Sequence, residues 1–90
     1  MIKGKTSSGF SFEVDPDVVK DYEYLELAAG SSENGLLFSK LVVYTLGKDQ
    51  KDALVKHLKD KKGRAWTEDV AAEYAEIVSS IAEGDPEAKK

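Results

Sequence analysis

Residues that could carry out chemistry are few in this sequence. His57 is the only histidine and the 90 residues include no cysteine, which excludes a disulfide, a thiolate metal site and a cysteine nucleophile. His57 falls on the apolar side of a predicted helix, where a packed histidine is more common than a general base with its partners. The sequence also contains neither a glycine-rich phosphate loop nor a G-x-S-x-G nucleophile elbow.

Carboxylate pairs and one basic segment remain as candidates for a catalytic or metal site. Pairs such as Glu73 with Glu76 are expected in a chain with 17 acidic residues, and we interpret them as solvated helix faces. Placing Gly63 at the sixth position of a calcium loop puts side chains that cannot bind calcium at ligand positions. We therefore predict no catalytic, cofactor-binding or metal-binding residues, and a protein that is not an enzyme.

The N-terminal residues predict a β-hairpin. Phe10, Phe12 and Val14 alternate with polar residues, which is the period of a half-buried strand. Residues 2–5 can pair with them across a turn at 6–9. Because an isolated hairpin is marginal in water, we expect its apolar face to lie on helices.

Four helical segments are predicted after the hairpin. The first has Asp15 as its N-cap and is followed by Gly30. Its predicted apolar face consists of Val18, Tyr22, Leu25 and Ala29. The second segment, 36–46, has the composition of either a strand or a buried helix, and its length and the following Gly47 favour a helix.

The third and fourth helices are more clearly marked. Residues 48–62 form the third, which ends at Gly63. The fourth follows Thr67 as its N-cap. Its predicted apolar face consists of Val70, Tyr74, Ile77 and Ile81.

These elements predict an α+β fold, mostly α-helical, with an N-terminal β-hairpin packed on a small bundle of about four helices. We expect residues 1–84 to form a single globular domain, with the hairpin in 1–14 and the helices in 15–84, and residues 85–90 to form a polar tail. The start of the chain is not apolar enough for a signal peptide, and the run 36–46 is shorter than the roughly 20 residues that span a bilayer. We therefore expect a soluble cytoplasmic protein without a membrane partner.

Charge is divided into blocks along the chain. Residues 36–64 contain eight basic and three acidic side chains, whereas residues 65–88 contain seven acidic and no basic ones. Two interpretations stay open: the third and fourth helices attract each other within the bundle, or they offer faces of opposite sign to partners. The net charge of −4 argues against a nucleic-acid partner.

The second helix is the best candidate for a binding surface. It is apolar nearly all round, and three neighbouring helices in so small a bundle leave part of it exposed, which is typical of an interface. The predicted partner-binding residues are Tyr24, Leu36, Leu37, Phe38 and Leu41. The alternatives are that the second helix supplies the whole core, or that it mediates self-association.

Several short motifs follow one another in a characteristic order. They are Phe10-Ser11-Phe12-Glu13-Val14-Asp15, Asp21-Tyr22-Glu23-Tyr24-Leu25-Glu26, Leu46-Gly47-Lys48-Asp49-Gln50, Gly63-Arg64 and Glu76-Ile77. Over about residues 9–82, this order resembles the tail assembly chaperones of long-tailed phages and prophages of Gram-positive bacteria. The resemblance implies a non-enzymatic protein of the host cytoplasm that binds the tape measure protein and tail tube subunits, and that is absent from the mature virion. The alternative is an acidic adaptor or inhibitor of a mobile element that mimics DNA.

Overall fold

The computed structural model describes residues 1–84. Its elements are β1 (Ile2–Lys5), β2 (Ser11–Val14), a 3-10 helix (Pro16–Lys20), α1 (Tyr22–Ser31), α2 (Gly35–Leu46), α3 (Lys48–Lys62) and α4 (Thr67–Gly84). The predicted α+β, mostly α-helical fold is confirmed: an antiparallel hairpin precedes four α-helices in the described chain. The predicted tail at 85–90 lies outside the described residues.

The hairpin forms as predicted. Ile2 pairs with Val14 and Gly4 with Phe12, and the turn is closed by a hydrogen bond from Thr6 N to Phe10 O of 2.9 Å. A Cβ at Gly4 would lie 2.7 Å from the Phe12 ring. Glycine at this position therefore leaves the space that the Phe12 side chain occupies over β1. The buried face of β2 belongs to the protein core.

The first predicted helix is not continuous but is divided into two helices. Asp15 caps it, since its Oδ1 accepts a hydrogen bond of 2.9 Å from Asp17 N. However, the first turns are a 3-10 helix, and Asp21 then adopts an extended conformation with φ −79° and ψ 138°. A new helix, α1, begins at Tyr22.

Beyond Val18, which does pack against the core, the predicted apolar face of this region is also wrong. Tyr22 is 69% exposed and Leu25 is 59% exposed, whereas Tyr24 and Leu27 pack against the core. Because the extended residue between the two helices changes the direction of the chain, side-chain spacing counted from Val18 does not continue into α1. Gly30 lies inside α1 rather than after it.

The remaining helices lie where the sequence predicts them, but Thr67 is the first residue of α4 and not its N-cap, since the amides of Asp69 and Val70 donate to Trp66 O. The segment that could have been a strand is helix α2, and Gly47 and Gly63 follow α2 and α3 with φ of 86° and 79°. The described core joins β2, α2, α3 and α4; its fully buried side chains are Val14, Leu54, Ile77 and Ile81. In residues 1–84, none of the helices combines the length and apolar character needed to cross a membrane.

Candidate functional site

A groove of about 380 Å³ lies between α2, α3 and the start of α4. Its apolar lining consists of Phe38, Val42, Leu54, Val55, Ala65 and Val70. This volume is within the range of roughly 300–1,000 Å³ that is usual for binding pockets. Since three helices supply the lining, the groove exists only in the folded protein.

The wall of the groove on α2 is held in place by Tyr74. Phe38 meets the Tyr74 ring edge to face, with 5.8 Å between the ring centroids. The Thr45 hydroxyl donates to Leu41 O at 2.9 Å, so it accepts from the Tyr74 hydroxyl at 2.8 Å. Burial raises the pKa of Tyr74, which keeps the phenol neutral and able to donate. Phe38 is therefore presented by a rigid support.

The edges of the groove carry positive charge. Lys51, Lys59 and Arg64 are among the residues that line it. Beside it, Trp66 is 49% exposed, and the Arg64 guanidinium lies 5.4 Å from the centroid of its ring, a cation–π distance. The site therefore combines an apolar floor with a basic rim.

The predicted partner-binding residues occupy different environments. Phe38 lines the groove. Leu36 is 74% exposed but is not part of the lining, whereas Leu41 is only 3% exposed and belongs to the core. Leu41 is thus unable to contact a partner without unfolding, and a charged substitution there would report on folding rather than binding.

The other two predicted residues lie at the α1 side of the molecule. Leu37 packs against α1 where Gly30 leaves space, since a Cβ at Gly30 would clash with the Leu37 side chain. Tyr24 is half-buried against the core. Neither side chain lines the groove.

Sequence reasoning missed the contribution of α3 to this site. Lys51, Val55 and Lys59 recur at intervals of four residues and line one side of the groove. That spacing places them on one face of a helix, so the signal was present in the sequence.

A cluster of polar side chains lies between the hairpin turn and α4, away from the groove. It shows that the interpretation of Glu73 as a solvated side chain is wrong. Glu73 is only 5% exposed. Its Oε1 accepts hydrogen bonds from Thr6 Oγ1 at 2.7 Å and Ser8 Oγ at 2.6 Å. The carboxylate therefore fastens the hairpin turn to α4.

His57 belongs to the same cluster. As predicted, it is a partly buried packing residue, with its ring 5.8 Å from that of Phe10. Its Nε2 lies 3.1 Å from Ser8 Oγ and 3.2 Å from Ser8 O. The Ser8 hydroxyl gives its hydrogen to Glu73 and the Ser8 carbonyl can only accept, so Nε2 must carry a hydrogen and donate. In this arrangement His57 does not activate Ser8 as a nucleophile.

Glu76 binds the same turn from the next helical turn of α4. Its two carboxylate oxygens accept from Ser7 N and Ser7 Oγ, both at 2.9 Å. These two hydrogen bonds stabilise the charged form and lower the pKa of Glu76 below its ordinary value of 4.5.

The low pKa of Glu76 predicts a pH-dependent contribution to stability. A depressed pKa in the folded state stabilises the fold fully above the ordinary value of 4.5, and this contribution is lost as the pH falls through the folded value. The difference in melting temperature between the wild type and Glu76→Gln should therefore be largest at neutral pH and shrink under acid conditions. A difference that stays constant down to about pH 3, below the ordinary range for glutamate, would contradict this role.

Comparison with known proteins gives no family assignment. The chain matches none of the protein-family models, curated proteins or solved structures with which it was compared.

Proposed function

We propose that the protein is a non-enzymatic tail assembly chaperone that holds a helical segment of the tape measure protein in the groove between α2, α3 and α4. The observation that carries the proposal is the groove itself, because an apolar channel between helices is the usual receptor for the apolar face of another helix. The order of sequence motifs, which resembles that of tail assembly chaperones, supplies the identity of the partner. We place the protein in the host cytoplasm and not in the mature virion on the same ground.

The outer face of α1 provides a second surface for the proposed function. Tyr22 and Leu25 are both mostly exposed, and their spacing of three residues puts them on the same side of the helix. A chaperone that also recruits tail tube subunits needs a contact surface besides the groove, and we propose this face for it.

The alternative of a DNA mimic has less support. A mimic needs a regular array of exposed carboxylates, but Glu73 and Glu76 on the acidic helix α4 are bound to the hairpin turn. The acidic residues of α1 remain exposed. Capture of a DNA-processing enzyme, in competition with duplex DNA, would support the mimic.

Co-expression with the tape measure protein tests the proposal. A helical tape measure fragment that precipitates alone should become soluble with the chain present and co-elute with it in gel filtration, because the groove covers its apolar face. A fragment that stays insoluble in both cases, with no co-elution, would contradict the proposed function.

A further inference from the structure

The charged rim of the groove is of one sign. Lys51, Lys59 and Arg64 line it, and among the described residues no acidic side chain does so. Lys51 and Lys59 lie one helical turn before and after Val55 on the same face of α3. The apolar floor is thus bordered by cations, although the chain as a whole has a net charge of −4.

Most of this positive charge is not neutralised by the protein. Lys51 Nζ lies 2.7 Å from Asp52 Oδ1, and Asp52 also pairs with Lys48 at 3.0 Å. Lys59 has no carboxylate within ion-pair distance in residues 1–84. Arg64 lies against the Trp66 ring, which leaves its charge uncompensated.

Three carboxylates of the acidic helix α4 are engaged elsewhere, and Glu68 in its first turn is exposed and makes no ion pair with Lys51, Lys59 or Arg64 in the described chain. Asp69 pairs with Lys62 at 3.1 Å, and Glu73 and Glu76 bind the hairpin turn. Within the described chain, α4 therefore does not supply counter-charges to the rim of the groove.

We propose that the groove selects an amphipathic helix whose apolar face is flanked by Asp and Glu side chains. The inference rests on the proposed function, because it takes the groove as the helix-binding site and adds the chemistry that the bound segment must have. Charges above a low-dielectric floor focus their field on the groove. Acidic flanks are attracted by Lys59 and Arg64, whereas basic flanks are repelled and left without partners.

Two synthetic helical peptides of about 20 residues, long enough to hold a helix, provide the probes. They share one apolar face, and their flanking positions are all Glu in one and all Lys in the other. Calorimetric titration of the wild type should show the Glu peptide binding roughly tenfold tighter, as expected for a few rim charge pairs.

Matched charge reversals identify which lysines and arginines cause the preference. The variant Lys59→Glu/Arg64→Glu should remove or invert it. The control Lys56→Glu/Lys61→Glu has the same net charge, but changes exposed α3 residues that do not line the groove, and it should keep the preference.

Several results would overturn the inference. The first two are equal binding of the two peptides and equal effects of the two double variants on the preference. A third is displacement of the Glu peptide by a single-stranded oligonucleotide. The fourth is a wild-type dimer that only the Lys59→Glu/Arg64→Glu variant dissociates. The last would show that a second copy fills the groove. If the peptides bind alike but the tape measure fragment still binds, only the charge selection fails. If the Glu peptide binds and the fragment does not, only the proposed function fails.

Discussion

Replacing Glu73 by Ala should destabilise the fold by about 3 kcal/mol, because hydrogen bonds to a charged acceptor contribute roughly 1.5–3 kcal/mol each. The substitution removes the acceptor for Thr6 Oγ1 and Ser8 Oγ. Thr6 is only 5% exposed, so its hydroxyl has little access to water as a replacement. In a domain of this size, such a loss lowers the melting temperature by about 12–24 °C.

Two further variants separate this effect from a general change of charge. Glu73→Gln keeps a carbonyl oxygen as acceptor and should lose clearly less stability than Glu73→Ala. Glu26→Ala removes an exposed carboxylate on α1 and should change stability by no more than about 0.5 kcal/mol. If Glu73→Ala unfolds at the same denaturant concentration as Glu26→Ala, the carboxylate does not hold the hairpin turn.

Local signals in the sequence were sufficient for most of the fold. The alternation of Phe10, Phe12 and Val14 predicted β2 because the strand is covered on one face only. Gly47 and Gly63 marked helix ends because each adopts a positive φ there. In these cases the residues that form the sequence pattern are the same residues that form the strand or end the helix.

The errors concern features that depend on distant residues. Glu73 is separated from Thr6 by 67 positions, and no local pattern indicates that a hydroxyl of the hairpin turn will reach it. In the same way, α1 places Tyr24 rather than Tyr22 on the core. The extended conformation of Asp21, which causes this shift, has no marker in the sequence.

The candidate groove could be predicted from the sequence only in part. Helix α2 does contribute to it, through Phe38 among other residues, but that this groove binds a partner is our proposal. The prediction treated α2 as a surface by itself, whereas the groove also needs Val55 on α3 and Val70 on α4. Which side of an apolar helix stays open is decided by the packing of its neighbours, and periodicity alone does not contain that information.

Replacing Val55 by Asp should weaken binding of a tape measure helix by roughly 100-fold, the effect expected when an interface hot spot is lost. Val55 is partly exposed and lines the groove, so its substitution places a carboxylate where the apolar face of the bound helix would rest. Even with Lys51 and Lys59 one helical turn away, burying this carboxylate beneath the apolar face of a bound helix costs free energy, and it does so only in the complex. Val55 lies outside the buried core, so we expect the variant to fold.

Val43 offers a matched control on α2. It is also a partly exposed valine outside the buried core, and it does not line the groove. Val43→Asp therefore introduces the same charge at a site of similar exposure. Circular dichroism and thermal unfolding of both variants should first confirm that each is folded.

The affinity of these three proteins for one helical segment of the tape measure protein, measured by calorimetric titration, tests the groove as the binding site most directly. We predict that Val55→Asp binds roughly 100-fold more weakly than the wild type, and that Val43→Asp binds within about threefold of it, because it leaves the groove unchanged. A folded Val55→Asp variant that binds as tightly as the wild type, or an equal loss in both variants, would contradict binding in the groove.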